Sequence, residues 1–166
     1  MAAQMHDSIV LDARKFLIVG VNGDDLFKPA EFKMNPYMSV TSCWRGFVCE
    51  YKIESNQLFL NTLQINLDQP GPRINGVEPL FSKAMFNNVY NPLNLPMDFT
   101  GEILAGDQFI RELYVHMGFH PAWKFQVVHQ LRISHGTVLD VKDISPEMRR
   151  VREGMTHAPK QDWRSR

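Results

Sequence analysis

The sequence predicts a mainly β, single-domain fold: an antiparallel meander forming a curved sheet or barrel, with a long proline-rich flap and a C-terminal helix. Three observations carry this expectation. Apolar residues alternate in several runs of strand length, turn-forming residues separate those runs, and helical periodicity appears clearly only near the end of the chain. At 166 residues the chain is long enough for one well-buried core and too short for two ordinary domains. Residues 1–144 read as the β domain, 145–155 as a helix of the same domain and 156–166 as a mobile tail.

Residues 1–8 read as a mobile start. From Ile9 to Val21 the pattern alternates loosely, and Phe16-Leu17-Ile18-Val19 is a continuous apolar run, the mark of a strand buried on both faces. Asn22-Gly23-Asp24-Asp25 is turn chemistry. Gly20 and Gly23 do not make a phosphate loop, because no Lys-Ser/Thr follows and no third glycine stands at dinucleotide spacing. Leu26 to Pro36 is polar and reads as a surface crossing.

In Cys43 to Ile53 the odd positions Cys43, Phe47, Cys49, Tyr51 and Ile53 are apolar, and Glu50 and Lys52 lie opposite. Arg45 shares the apolar face, and Gly46 beside it marks a bulge or a close backbone approach. Phe59, Leu63, Ile65 and Leu67 alternate in the next run, so residues 44–67 predict a hairpin. The stretch 68–98 holds five of the ten prolines. Leu80, Phe81, Ala84 and Met85 suit a short helix within 79–89, and the apolar content of the stretch argues for an ordered flap over one end of the sheet. Phe99 to Leu104 reads as a short strand ended by Ala105-Gly106-Asp107.

The organising feature is the stretch Phe109–Lys142, read as strand, loop, strand, tight turn, strand. Leu113, Val115, Met117 and Phe119 alternate, as do Phe125, Val127, Leu131 and Ile133. Pairing Phe119 with Phe125 and Met117 with Val127 puts both sets on one face, with His120–Lys124 as the hairpin loop. His135-Gly136 supplies the second turn into Val138, Leu139 and Val141. Ser145-Pro146-Glu147 then starts a helix, with Ser as N-cap, Pro at N1 and an apolar stripe of Met148, Val151 and Met155.

Composition narrows function. Basic and acidic residues balance at 18 each, so no basic face is available for nucleic acid; the one concentration, Arg149, Arg150 and Arg152, reads as a solvated helix face. The start of the chain has neither a positive nor an apolar signal region, and no apolar run approaches a membrane span. Cys43 and Cys49, placed on one strand, stand roughly 20 Å apart, beyond disulfide reach. Free thiols point to a reducing compartment, the cytoplasm. His116 and His120 resemble an H-x3-H pair, but on a strand they stand about 13 Å apart, and no metal site or cofactor is expected.

No G-x-S-x-G, H-E-x-x-H, C-x-x-C or Walker sequence occurs. What remains is polar chemistry on the inner face: Arg45, Tyr51 in phase with it, and His129 among Val127, Leu131 and Ile133. A buried arginine keeps its charge and needs an anion. An internal acid such as Glu102 or Asp140 makes a structural cluster of it, and a bound carboxylate or phosphate makes it a ligand site. The leading reading is a non-enzymatic domain holding a small apolar or anionic ligand around Arg45, Tyr51 and His129. The alternatives are a protein-interaction or self-associating module with a solid core, as a homodimer or around the Trp123 loop, and a small enzyme with His129 as general base. On strand number and length alone the barrel resembles the lipocalin-like ones, a fold analogy that does not extend to function.

Overall fold

The computed structural model describes residues 2–155. The expected tail, 156–166, lies outside the described residues. Ten strands make one sheet: β1 (Ser8–Leu11), β2 (Arg14–Gly23), β3 (Phe47–Glu54), β4 (Gln57–Ile65), β5 (Leu80–Phe81), β6 (Asn88–Tyr90), β7 (Leu95–Pro96), β8 (Gly101–Phe109), β9 (Phe125–Ser134) and β10 (Thr137–Asp143). Helix α1 (Ser145–Glu153) follows. The order is β10-β9-β8-β2-β1-β3-β4-β6-β5, with β7 also paired to β4. At one place β10 meets β4, where Thr137 pairs with Gln57 and the Leu58 and Val138 N–H groups donate to Gly136 and Asn56 carbonyls at 2.8 Å. Among the described residues no helix is long and apolar enough to cross a membrane.

The expectation of a mainly β chain ending in a helix is met, but the sheet is mixed. β1 pairs with β3 in parallel, Ile9 opposite Tyr51. β2 finishes at the end of the sheet where β3 begins, and residues 24–46 join them past β1, so β3 runs in the direction of β1. The sequence pattern also merged β1 and β2 into one strand. They are a hairpin turning at Asp12 and Ala13, both at positive φ (49° and 63°). Neither is a glycine, so the usual turn signal is missing.

Two apolar clusters lie on opposite faces. The larger, inner one takes Ile18, Val21, Cys49, Tyr51, Leu131 and Ile133; the smaller, outer one takes Val19, Leu104, Ala122, Phe125, Val128 and Ile144. β2 is thus buried on both faces, as its continuous apolar run requires. Bulges reset the alternation in three strands. Val19 is unpaired between Ile18 and Gly20, Asn61 between Leu60 and Thr62, and Leu139 between Val138 and Asp140. In β4 this corrects the expected face: Leu58 and Leu60 are buried before the bulge, Leu63 and Ile65 after it, and Phe59 points outward.

The meander is corrected at its first strand. β8 fills that place, running five residues beyond the expected end at Leu104, and it pairs Phe109, not Phe119, with Phe125 and Asp107 with Val127. Residues 110–124 form an irregular connection in which Val115 and Met117 are half exposed. Apart from a single parallel bridge of Gly118 to Ala3, the alternating stretch finds no partner strand among the described residues, because β9 has β8 on one side and β10 on the other. Phe125 also leaves the predicted inner set and joins the outer cluster.

The stretch 68–98 is ordered, yet it is not a flap and contains no helix. β6 and β7 pair with β4, β5 pairs with β6, and Ile74, Tyr90 and Leu93 join the inner core. The crossing from Leu26 to Pro36 is likewise part of that core through Leu26, Phe27 and Met34. The start of the chain is anchored too. The Gln4 N–H donates to Gly118 O at 2.7 Å, and Gln4 Oε1 accepts the Trp44 N–H at 2.8 Å.

α1 packs over β9 through Met148, and its Arg152 Nη1 donates to Trp123 O at 2.7 Å. Met155, expected on the packed stripe, is exposed. Ser145 does not cap its own helix. Its hydroxyl accepts the Val128 N–H at 2.9 Å, and its own N–H donates to Asp143 Oδ1 at 2.9 Å. The serine therefore ties the helix start to β9.

Candidate functional site

Three hairpins turn in the same two-residue way, at Asp12-Ala13, Ser55-Asn56 and His135-Gly136, every one of these residues at positive φ. The tips of the first two face the inner side of β9 and β10 across a pocket of about 390 Å³. Leu11, Phe16, Ile53, Val138 and Val141 give it apolar walls; Asp12, Arg14, Asn56 and His129 supply the polar groups. His129 stands on the inner face of β9, opposite Ala105 of β8. On β2, Phe16 stands two residues before Ile18, which pairs with Ala105, and its ring meets the imidazole edge to face, with centroids 5.3 Å apart. The Arg14 guanidinium lies over the other part of this wall, 4.8 Å from the Phe16 centroid.

Arg14 is held from outside the pocket. Its Nη2 and Nε donate to Asp107 Oδ2 at 2.6 and 3.1 Å. Hydrogen bonding to Arg14 holds the Asp107 carboxyl below the usual carboxylate range. The pocket therefore offers a fixed cationic plane, an imidazole and a carboxylate at Asp12, around an apolar floor.

The three residues singled out from sequence do not share this pocket. His129 lines it; Arg45 and Tyr51 do not. Arg45 precedes β3, in the turn before Gly46, and not within the strand as expected. It ion-pairs with Asp7, not with the Glu102 or Asp140 that the sequence suggests. Nη2 donates to Oδ1 at 2.7 Å and Nη1 to Oδ2 at 3.2 Å, and Oδ1 also accepts the Cys49 N–H at 2.8 Å. Burial lowers the Arg45 pKa, but the Asp7 carboxylate outweighs it and the net shift is upward. The guanidinium also covers the Phe47 ring at 4.4 Å.

Tyr51 is fully buried, and its hydroxyl accepts the Phe27 N–H at 2.9 Å. Burial, with smaller contributions from Cys49 and Asp7, pushes the phenol well above its ordinary value, so it remains protonated. Cys43 and Cys49 are buried and form no disulfide; Cys43 lies in the turn ahead of β3 and not on the strand as expected, and burial pushes its thiol up.

His116 and His120 stand on the 110–124 connection instead of a strand. His116 accepts or donates at Nδ1 with the exposed Tyr114 hydroxyl, 2.8 Å away. His120 is buried beside Phe109 and Lys124. Among the described residues no group of three or more His, Cys, Asp or Glu side chains is placed to hold a metal ion.

Of the pocket residues that sequence reasoning missed, Leu11, Asp12, Arg14 and Asn56 belong to the two hairpin tips, Phe16 to β2 and Val141 to β10. Asp12 and Asn56 carry a weak signal, since Asp and Asn tolerate the left-handed backbone that such turns require. Leu11, Phe16 and Val141 carry none beyond apolarity. Known protein families, curated proteins and solved structures were compared with the chain, and none matches.

Proposed function

We propose that the protein is a non-enzymatic binding domain whose ligand, small and mainly apolar with one polar end, occupies the pocket between the hairpin tips and the inner face of β9 and β10. The observation that carries this reading is the Phe16–His129 wall: an inward imidazole packed on an aromatic ring at the edge of an open, largely apolar space. The Thr137–Gln57 pairing, by joining β10 to β4, supports a lipocalin-like curl of the sheet with this pocket at its mouth. Of the three residues first assigned to the ligand, His129 keeps that role in the proposal. Arg45 and Tyr51 serve the fold, because each already has an internal partner.

Native mass spectrometry of the protein purified from lysate, set against its denatured mass, is the test. A retained small molecule that is lost in Leu11→Trp, which fills the pocket, and weakened in His129→Ala supports the reading. A protein that retains nothing and shows no site-localised NMR shifts at these residues against a fragment library refutes it.

A further inference from the structure

Among the described residues, the outer edge of β10 is left open over a short, well-defined stretch. Its first residues are covered: Thr137 pairs with Gln57, and the Val138 N–H is taken by Asn56 O. At the far end Ile144 is buried in the outer cluster, its N–H bonded to Val128 O, and the chain turns into α1. Between these stops lie five residues, the bulged Leu139 and Asp140 to Asp143, the last four paired to β9 and, among the described residues, to no other strand. Leu139 and Val141 are about half exposed, at 56% and 49%. An open strand edge with apolar side chains is a template for another strand.

The Ile144-to-Val128 hydrogen bond fixes which backbone groups face outward. In an antiparallel ladder bonded and non-bonded pairs alternate, so Lys142 bonds toward β9, while the N–H and C=O of Val141 and Asp143 point to the open side. A second β10 running antiparallel must therefore match odd residues with odd residues. Three registers satisfy that near the centre. Matching Leu139 with Val141 sets Asp140 against Asp140 of the second copy, and matching Val141 with Asp143 sets Lys142 against Lys142. The third puts Val141 opposite Val141 on a two-fold axis and sets Asp140 of each copy opposite Lys142 of the other. Like charges directly opposite destabilise a strand pair and unlike charges stabilise it. Space selects the same register, because Val141 is the midpoint of the open stretch.

We propose that two copies of this chain associate edge to edge through β10, in antiparallel register centred on Val141, with two reciprocal Asp140–Lys142 pairs. The interface is isologous, as a two-fold dimer requires, and it joins two sheets into one.

The test is charge reversal read by sedimentation equilibrium and native mass spectrometry. The wild type shows a dimer whose population rises with concentration. Asp140→Lys and Lys142→Asp each weaken association at least tenfold. Mixed together, these two variants form a one-to-one heterodimer, and the double exchange D140K/K142D restores the homodimer. Far-ultraviolet circular dichroism shows that each variant is folded. A wild type monomeric at all concentrations overturns the proposal, and Lys142 with the Leu139 bulge then serves to keep the edge from pairing. A dimer indifferent to both reversals also overturns it, since association then uses another surface.

Discussion

Arg45 and Asp7 form a two-pronged ion pair, at 2.7 and 3.2 Å, in which the carboxylate is almost fully buried while the guanidinium keeps 21% of its side chain exposed. Oδ1 of Asp7 bonds both the arginine and the Cys49 N–H, so one acid joins the chain ahead of β1 to the turn before β3 and to β3 itself. The inward arginine that stood out in the sequence thus fastens the parallel β1–β3 pair.

Removing one partner leaves the other charge buried and uncompensated. Asp7→Asn and Arg45→Met are each expected to lower stability by about 2–3 kcal/mol, below the roughly 3–5 of a fully buried pair because the arginine is partly hydrated. The double variant costs less than the sum, since it leaves no stranded charge. Urea unfolding of the four proteins measures the coupling, and strict additivity would mean that the pair contributes nothing jointly.

His120 sets a pH dependence. Burial first, then the ammonium of Lys124 and the nearby His6, lowers its pKa from the ordinary value of 6.5. Between the lowered folded value and the unfolded one, the unfolded chain binds more protons, so stability falls as pH drops from about 6.5 through the folded value and levels off below it. In His120→Gln that decline is expected to flatten. Unfolding free energies measured from pH 8 to pH 5 on both proteins decide the matter: equal slopes would assign the decline to other groups.

Gly46 is a backbone requirement. Its φ is +77°, and a Cβ there would collide with the Tyr37 carbonyl oxygen and lie within 2.9 Å of the Tyr37 nitrogen. Gly46→Ala should cost about 1–2 kcal/mol for the left-handed backbone alone, with the collision adding to it. Gly76, also at positive φ (+75°) but with open space around it, isolates the backbone part in Gly76→Ala. A smaller loss at position 46 than at 76 would contradict this account of the contact.

The strand class, the 44–67 hairpin, the His135-Gly136 turn and the C-terminal helix were legible because each depends on a local pattern: alternation, a glycine at positive φ, or Ser-Pro-Glu ahead of an apolar stripe. Leu113 to Phe119 shows why pattern alone is insufficient. It alternates as well as β9 does, but both edges of β9 are taken, by β8 and β10, and a strand without a partner cannot satisfy its backbone. The site was legible only at His129, whose inward direction follows from the alternation of its own strand. Its pocket partners Leu11, Asp12, Ile53 and Asn56 come from hairpin tips more than 70 residues away in the chain, and nothing local records that meeting.

By itself, then, the sequence determined that this chain is a largely β protein with an inward His129 and a helix starting at Ser145. These follow from the period of the apolar residues and from the backbone preferences of single residues. The tertiary structure alone decided that β1 and β3 run parallel, that Asp7 neutralises Arg45, that residues 68–98 extend the sheet, and that five residues of β10 remain open. Each of these is a matter of which distant segments compete for the same edge or the same charge, and that competition is settled only when all the strands are in place.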